Sequence, residues 1–134
     1  MPVLYLDSCA LVKLVVPEAE TDVLGATFSG GTFWATSDLG RTEFMRVVSR
    51  REPGLTDDAR RVMRAVMTIS LDRDTYDLAG RIQPARLRSL DAIHVAAALS
   101  LGADLKALVT YDKRLAEAAT LNGLTVLSPG ATLD

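Results

Sequence analysis

Short apolar runs alternate with segments of helical spacing along most of the chain. Val3 to Leu6 is a run of strand type, and apolar side chains recur at helical intervals between Asp7 and Pro17. The same pattern predicts strands at 32–36, 68–71, 107–110 and 124–127, and helices beginning near 18, 38, 56, 74, 89 and 113. This alternation is typical of an α/β fold. We expect a three-layer α/β/α sandwich around a mostly parallel sheet.

Capping residues and glycines mark where these helices begin and end. Ser37 and Ser89 are predicted to cap the helices that follow them, and Gly30-Gly31 is predicted to close the helix that begins near 18. The helix from Thr56 keeps an apolar stripe that extends to Ile69.

The length and composition fit one domain spanning 1–134. A chain of 134 residues with 49% hydrophobic content is long enough for one core and too short for two ordinary ones. Its apolar stretches fall short of the roughly 18 residues that cross a bilayer, and its start lacks the basic flank and cleavage site of a signal peptide. The sequence therefore predicts a soluble cytoplasmic protein without a membrane partner.

Two acids follow predicted strands directly. Asp7 comes after Val3 to Leu6, and Asp112 comes after the strand at 107–110. In an open parallel sheet, ligands bind beyond the carboxyl ends of the strands, so both acids are placed at the binding edge. Each also precedes a helix, and aspartate is a favoured N-cap, so capping is the simpler alternative for either residue.

Two further acids lie on predicted helices whose surroundings are apolar. Glu43 falls one turn from Leu39 and from Val47, within the stripe that should face inward, and either an ion pair with Arg41 or Arg46 or a bound cation would explain it. Asp91 lies at the start of the alanine-rich segment S-L-D-A-I-H-V-A-A-A-L, where an acid also complements the helix dipole.

The four acids together predict a site for a hard cation. Two carboxylates about 4 Å apart repel by roughly 4 kcal/mol at an effective dielectric of 20, so four in one pocket require a positive charge among them. One cysteine, Cys9, and one histidine cannot form a zinc shell, whereas oxygen ligands select Mg²⁺ or Mn²⁺. Such an ion supports phosphoryl transfer by activating water.

The order of these motifs resembles the PIN domain, specifically the VapC-type toxin ribonucleases of toxin–antitoxin pairs. The motifs are a strand followed by Asp7-Ser8-Cys9-Ala10, the isolated Glu43, the segment 90–99 that begins Leu-Asp-Ala-Ile-His, and Thr110-Tyr111-Asp112-Lys113-Arg114. The likeness runs over essentially the whole chain. It implies an α/β/α fold, RNA cleavage that requires Mg²⁺ or Mn²⁺, a homodimer, and inhibition by a cognate antitoxin.

The resemblance also assigns roles to individual residues. Asp7, Glu43, Asp91 and Asp112 match the metal-binding and catalytic acids, while Ser8 and Thr110 match hydroxyl positions that arrange the acids or the waters of the metal. Cys9 is a departure, because the family more often has serine or asparagine there.

The single histidine, His94, has two readings. A histidine on an alanine-rich helix is more often a packed core residue. Lying one turn from Asp91, it could instead steady that carboxylate. A metal-free mechanism with a pair of histidines is excluded because the chain has only one.

The formal net charge of −2 does not exclude RNA as a partner. Acids that bind a metal should be counted together with the cation, and the rest of the protein is then positively charged. Eight cationic side chains lie on elements that could border the acids, although each could equally be on a solvated surface. Five are selected as RNA contacts: Lys13, Arg46, Arg86, Lys113 and Arg114. Apolar helix faces are available for a dimer mate or an antitoxin helix, or for the core. A catalytically silent module that binds RNA or a partner is the alternative function.

Overall fold

The computed structural model describes residues 1–27 and 31–133, and these ranges hold five strands and seven α-helices. The strands are β1 (Val3–Leu6), β2 (Phe33–Ser37), β3 (Met67–Ile69), β4 (Leu105–Val109) and β5 (Val126–Leu127). The helices are α1 (Ser8–Lys13), α2 (Thr21–Ala26), α3 (Asp38–Arg51), α4 (Thr56–Ala65), α5 (Arg73–Ala79), α6 (Ser89–Leu99) and α7 (Lys113–Leu121). Single 3-10 turns at Pro53–Leu55 and Gly102–Asp104 precede α4 and β4.

The five strands form one sheet in the order β3-β2-β1-β4-β5, and every neighbouring pair is parallel. The two central strands end together, since Leu6 of β1 is in register with Val109 of β4. The carboxyl ends of β1 and β4 therefore lie side by side, as expected from the alternation of strands and helices.

Helices cover both faces of the sheet and divide the core in two. Side chains alternate along β1, so Leu4 and Leu6 join the core under α1, α3 and α4, while Tyr5 joins the core under α5, α6 and α7. Burying a leucine or valine completely contributes about 1.5–3 kcal/mol, and most of the side chains on both faces are of this kind. The α/β/α sandwich is confirmed.

Two predicted helix boundaries are wrong, each for a local reason. The stripe from Thr56 does not stay helical to Ile69, because α4 ends at Ala65 and the residues Met67, Thr68 and Ile69 pair with β2 as β3. Ser89 is not an N-cap. Arg88 is the extended cap residue, and the acid that complements the helix start is Asp91 in the first turn.

Other predicted ends agree with the structure. Ser37 caps α3 by accepting the backbone N–H of Gly40 at 3.1 Å. The helix predicted from 18 is the shorter α2, and residue 30 of the glycine pair predicted to close it lies outside the described residues. No helix in the described part of the chain is both long and apolar enough to cross a membrane.

Candidate active site

Asp7 and Asp112 lie at the neighbouring ends of β1 and β4, and both cap the helix that follows. Asp7 accepts the backbone N–H of Ala10 at 2.9 Å, and Asp112 accepts those of Arg114 at 2.8 Å and Leu115 at 3.2 Å. The capping alternative is therefore correct for both aspartates. A cap uses one carboxylate oxygen, and the other oxygen of each residue stays available for a different partner.

Thr110 links the two aspartates. Its hydroxyl donates to Asp7 Oδ2, and its oxygen accepts the backbone N–H of Asp112 at 3.1 Å. Thr110 is fully buried at the end of β4, so its rotamer is restricted by packing. The threonine thus contacts the carboxylate of one acid and the backbone of the other, at a position to which the resemblance assigns an arranging role. Ser8 lines a small cleft beside Cys9 and Asp112, close to the same acids.

Asp7 is a buried carboxylate. It is only 3% exposed, and burial raises its pKa above the ordinary value. Nearby His94 opposes this rise, as do hydrogen bonds from Thr110, Cys9 and the Ala10 amide. Within the described part of the chain, no lysine or arginine forms an ion pair with Asp7. The negative charge on Asp7 is thus costly unless a cation approaches it.

Cys9 acts as a hydrogen-bond donor to Asp7. Its Sγ lies 3.0 Å from Oδ1 and 3.2 Å from Oδ2 of that residue. Burial and the charge of Asp7 raise the pKa of the thiol far above its ordinary value, so the sulfur keeps its proton. The thiol thus serves where a serine hydroxyl would serve equally well.

Glu43 reaches inward from α3 and pairs with His94 of α6. The distance from His94 Nε2 to Glu43 Oε1 is 2.6 Å, and His94 Nδ1 lies 2.7 Å from the hydroxyl of Tyr5. The expected steadying of Asp91 by His94 is not what the structure has, because the imidazole points between the sheet and α3 rather than along α6. The packed-core reading of His94 is correct, since the residue is 2% exposed.

The sequence left open whether Glu43 binds a cation or pairs with Arg41 or Arg46. In the structure its partner is His94. Arg41 donates to the carbonyl of Met63 and, at 3.0 Å, to the hydroxyl of Thr68. Arg46 is exposed on α3. Neither side chain is among the ion-pair partners of Glu43 in the described residues.

Asp91 and Asp112 share the guanidinium of Arg88. Arg88 Nε lies 3.2 Å from Asp91 Oδ2, and Arg88 Nη2 lies 3.5 Å from Asp112 Oδ2. The arginine side chain is 66% exposed, whereas that of Asp91 is 14% exposed. A solvated cation of the protein itself thus lies between these two acids and offsets one of their two negative charges.

Three of the four predicted acids, Asp7, Asp91 and Asp112, are linked by bridging side chains, whereas Glu43 pairs with His94, and the four are not drawn into one shell. Within residues 1–27 and 31–133, no group of three or more acidic, histidine or cysteine side chains is already gathered where it could hold an ion. Asp7 and Asp112 are joined through Thr110, and Asp112 and Asp91 through Arg88. The structure thus supplies a partly assembled site.

The donor set nevertheless fits a hard divalent cation. All four candidate ligands are carboxylates, the ligand type that Mg²⁺ and Mn²⁺ prefer. Asp7 is buried without an ion-pair partner in the described chain, and the guanidinium of Arg88 shows that a positive charge is accommodated between Asp91 and Asp112.

The predicted RNA contacts fall into different environments. Arg86 and Arg114 line one groove of about 620 Å³ together with Arg88, Asp91 and Glu117. Arg46 and Lys113 are exposed on α3 and α7.

The environment of Lys13 does not favour it as a phosphate contact. Its ammonium lies 2.7 Å from Glu18 and 2.9 Å from Glu20, and 4.7 Å from the ring centroid of Tyr111.

The sequence did not identify Tyr5 as a partner of a site residue, and Arg88 was not among the five cations selected from it. The signal for Tyr5 was present, because a hydroxyl in the otherwise aliphatic strand Val3–Leu6 must find a buried partner. The signal for Arg88 was its position three residues before Asp91, the spacing at which helical side chains meet.

The model of the PIN domain family matches residues 4–121. The chain belongs to the PIN domain family. This PIN domain is 44% identical to Ribonuclease VapC47 of Mycobacterium tuberculosis (strain CDC 1551 / Oshkosh), with 96% of this chain and 98% of that protein covered. It is 40% identical to Ribonuclease VapC46 of Mycobacterium tuberculosis (strain ATCC 25618 / H37Rv), with 96% and 99% covered. The resemblance found in the sequence is confirmed.

Solved structures share the fold of this PIN domain. One is VapC20 of Mycobacterium tuberculosis, described as a sarcin-ricin loop cleaving toxin, with a TM-score of 0.73, 16% identity, and 94% of this chain and 99% of that chain covered. Another is a toxin–antitoxin complex from Klebsiella pneumoniae, with a TM-score of 0.72, 20% identity, and 94% and 97% covered. At these identities the likeness shows the fold alone, and it agrees with the predicted PIN-like sandwich.

Proposed function

We propose that this PIN domain is an endoribonuclease that requires Mg²⁺ or Mn²⁺ and serves as the toxin of a toxin–antitoxin pair. The observation that carries the proposal is the edge of the sheet where Asp7 and Asp112 share Thr110 and Asp112 shares Arg88 with Asp91. Relatives at 40–44% identity named Ribonuclease VapC support the same activity.

The ion-binding residues in this proposal are the four acids. Asp7 and Asp91 hold the principal ion, and Glu43 and Asp112 complete its surroundings. When bound, the ion neutralises phosphate charge and makes a water molecule more acidic. Thr110 keeps Asp7 and the start of α7 in register, so that two ligands from different strands stay in place.

One of Glu43 and Asp91 accepts a proton from the attacking water. Attack at phosphorus breaks the bond to the 3′ oxygen, which leaves and takes up a proton. The products are then a 5′-phosphate and a 3′-hydroxyl. One carboxylate oxygen of Glu43 contacts His94, and one of Asp91 contacts Arg88. The second oxygen of each acid is free of those contacts.

The groove that runs from Asp91 past Arg86 and Arg114 is the proposed path of one RNA arm. Its guanidinium groups suit phosphates, and its apolar lining suits the face of a ribose or base. The apolar lining residues are Pro84, Leu87, Ala118 and Leu121. Arg46, three residues after Glu43 on α3, and Lys113, directly after Asp112, are further proposed phosphate contacts.

An antitoxin protein and a second copy of the chain are the proposed protein partners. A relative in fold has been solved as a toxin–antitoxin complex, which supports an antitoxin. Exposed apolar side chains on the helices offer surfaces for either partner, and they include Val23, Tyr76, Leu90 and Leu121.

A catalytically silent binding module is the second candidate function. The observation that favours it is the pairing of Asp91 and Asp112 with Arg88, which places a positive charge between two of the acids without a metal. In that case the same edge of the sheet would bind RNA and leave it intact.

A cleavage assay separates the two functions. Purified protein is incubated with total RNA in Mn²⁺ or in chelator, and the ends of the products are sequenced. The nuclease gives 5′-phosphorylated fragments only with metal, and its Asp91→Asn variant gives none while it keeps the fold. Metal-independent binding without fragments supports the silent module. Undiminished cleavage by Asp91→Asn would remove Asp91 from the mechanism.

A further inference from the structure

A chain of buried polar side chains crosses the interior from β2 to α3. The hydroxyl of Tyr5 on β1 donates to Ser37 Oγ at 3.0 Å and lies 2.7 Å from His94 Nδ1, and His94 Nε2 lies 2.6 Å from Glu43 Oε1. Tyr5 and Ser37 are fully buried, and His94 is 2% exposed. Of these four hydrogen-bonded side chains, only that of Glu43 reaches solvent, and it is 24% exposed.

These contacts hold the imidazole of His94 on both sides. Nε2 and Oε1 lie within hydrogen-bond distance at 2.6 Å, and a hydrogen bond to a carboxylate oxygen is charge-assisted. On the other side, the tyrosine ring meets the imidazole edge to face, with centroids 5.8 Å apart and planes at 68°. The ring can neither flip nor swing without losing both hydrogen bonds.

The backbone is shaped for this contact. Gly40 lies one turn before Glu43 on α3, and a Cβ there would collide with the hydroxyl of Thr36 and lie 3.5 Å from His94 Cε1. A glycine within a helix is destabilising by roughly 0.5–1 kcal/mol relative to alanine. Its presence lets α3 lie close to β2 and α6, which brings Glu43 within reach of the imidazole.

Core packing alone does not account for this set of residues. Leucine or phenylalanine could fill the same volume without polar atoms, whereas buried hydroxyl and imidazole groups are costly unless every partner is present. The partners are present, and the chain of contacts ends on one oxygen of a candidate catalytic acid. The other oxygen, Oε2, has no hydrogen bond or ion pair to another described residue.

We propose that Tyr5 and His94 are positioning residues that fix the rotamer of Glu43, so that its second oxygen is held ready for the divalent ion. The inference rests on the proposed function, in which Glu43 is one of the ion's ligands. Partners of this kind typically change metal affinity or activity 10- to 100-fold when they are removed.

Three variants test the proposal against a control. His94→Leu removes both hydrogen bonds, His94→Gln keeps an amide N–H that can reach Glu43, and Tyr5→Phe removes one hydroxyl and keeps the ring. Thr75→Val is the control, because Thr75 is a buried residue of α5 whose hydroxyl donates to Asp72 Oδ1 at 2.8 Å, away from the candidate acids. Each full-length protein is titrated with Mn²⁺ by calorimetry, and kcat and KM for RNA are measured with saturating Mn²⁺.

The expected result is a 10- to 100-fold loss of Mn²⁺ affinity in His94→Leu and a fall in kcat at nearly constant KM. His94→Gln should recover much of the affinity, Tyr5→Phe should lie between, and Thr75→Val should match the parent protein. If His94→Leu does not fold, His94→Gln and Tyr5→Phe still test the positioning role. An unchanged Mn²⁺ affinity in Tyr5→Phe overturns the proposal.

Failure of this inference differs from failure of the proposed function. A parent protein that binds Mn²⁺ and cleaves RNA, with His94→Leu equal to it in both, overturns the positioning role alone. A parent protein that binds no Mn²⁺ overturns both.

Discussion

The hydroxyl of Thr110 donates to the buried carboxylate of Asp7 across two neighbouring strands, and the same oxygen accepts the backbone N–H of Asp112. Parallel strands that end in register make this possible, because Leu6 pairs with Val109, and Asp7 and Thr110 are the residues that directly follow them. One threonine thus fixes both the acid after β1 and the start of the loop that carries the acid after β4.

Replacing Thr110 by valine should destabilise the protein and impair cleavage together. The substitution keeps the volume but leaves the Asp7 carboxylate and the Asp112 amide without this partner, a cost of about 1–3 kcal/mol. Thr110→Ser, which keeps the hydroxyl, should retain most of the activity. Urea unfolding and a cleavage assay on the two variants check this, and equal activity in both would show that the hydroxyl is dispensable.

Asp7→Asn should abolish cleavage and stabilise the metal-free protein at neutral pH. Burial raises the pKa of Asp7, so the folded state holds the proton more tightly than the unfolded chain. The stability that Asp7 contributes is complete below its ordinary pKa of 3.8 and is lost as pH rises through the folded-state pKa. Asparagine can still accept from the Ala10 amide, so the cap is kept.

Thermal unfolding in chelator between pH 4 and pH 8 measures this effect. The variant should be more stable than the parent near pH 7 and should differ little from it at the acid end. Adding Mg²⁺ should raise the midpoint of the parent protein alone, since only the carboxylate binds the ion. A variant that is less stable than the parent at pH 7 would contradict the burial argument.

The layers and the parallel sheet follow from local pattern, but the order of the strands and the partners of the acids do not. The strand at Val3–Leu6, the cap at Ser37 and the strand-end positions of Asp7 and Asp112 depend on neighbouring residues, and the sequence predicts them correctly. The pairing of Glu43 with His94 joins residues 51 positions apart, and it depends on how close α3 lies to α6.

Competing local signals explain the other differences. Ser89 is a good cap by residue type, yet Arg88 takes the extended cap position and contacts Asp91 and Asp112 from there. Val66 continues the apolar stripe of α4, yet pairing of the next residues with β2 ends the helix before it. In both cases a contact formed by the tertiary fold outweighs a preference of a few tenths of a kcal/mol to about 1 kcal/mol.

Arg88→Ala should strengthen Mn²⁺ binding and weaken RNA binding. The guanidinium competes with a metal for Asp91 and Asp112, so removing it frees both carboxylates. Because the arginine side chain is 66% exposed, its ion pairs contribute at most about 1 kcal/mol to stability, and the thermal midpoint should change little. Calorimetric titration with Mn²⁺ and RNA binding to the metal-free protein measure the two effects. Weaker Mn²⁺ binding by the variant would mean that Arg88 holds the acids in place and does not compete for them.

The double variant Arg86→Ala/Arg114→Ala should bind RNA more weakly without losing Mn²⁺ affinity. Both guanidinium groups line the groove beside Asp91, but neither is an ion-pair partner of a candidate ligand in the described residues. Each phosphate contact that is lost should reduce the slope of log K against log salt by about 1. The matched control is Arg60→Ala/Arg61→Ala on α4, where two exposed arginines pair with Asp57 and Asp58 of the same helix.

Binding is best measured with a noncleavable RNA over a range of salt, because cleavage then cannot alter the ligand. The groove variant should show a shallower salt dependence and a higher Kd, whereas the α4 control should match the parent protein. Substrates shortened on one side of the cleavage site extend the test. A substrate without the arm that lies in the groove should bind parent and groove variant equally, because the arginines then have no phosphate to contact. Equal losses in the groove variant and the α4 control would instead indicate a general charge effect, and the RNA would have to follow another path from Asp91.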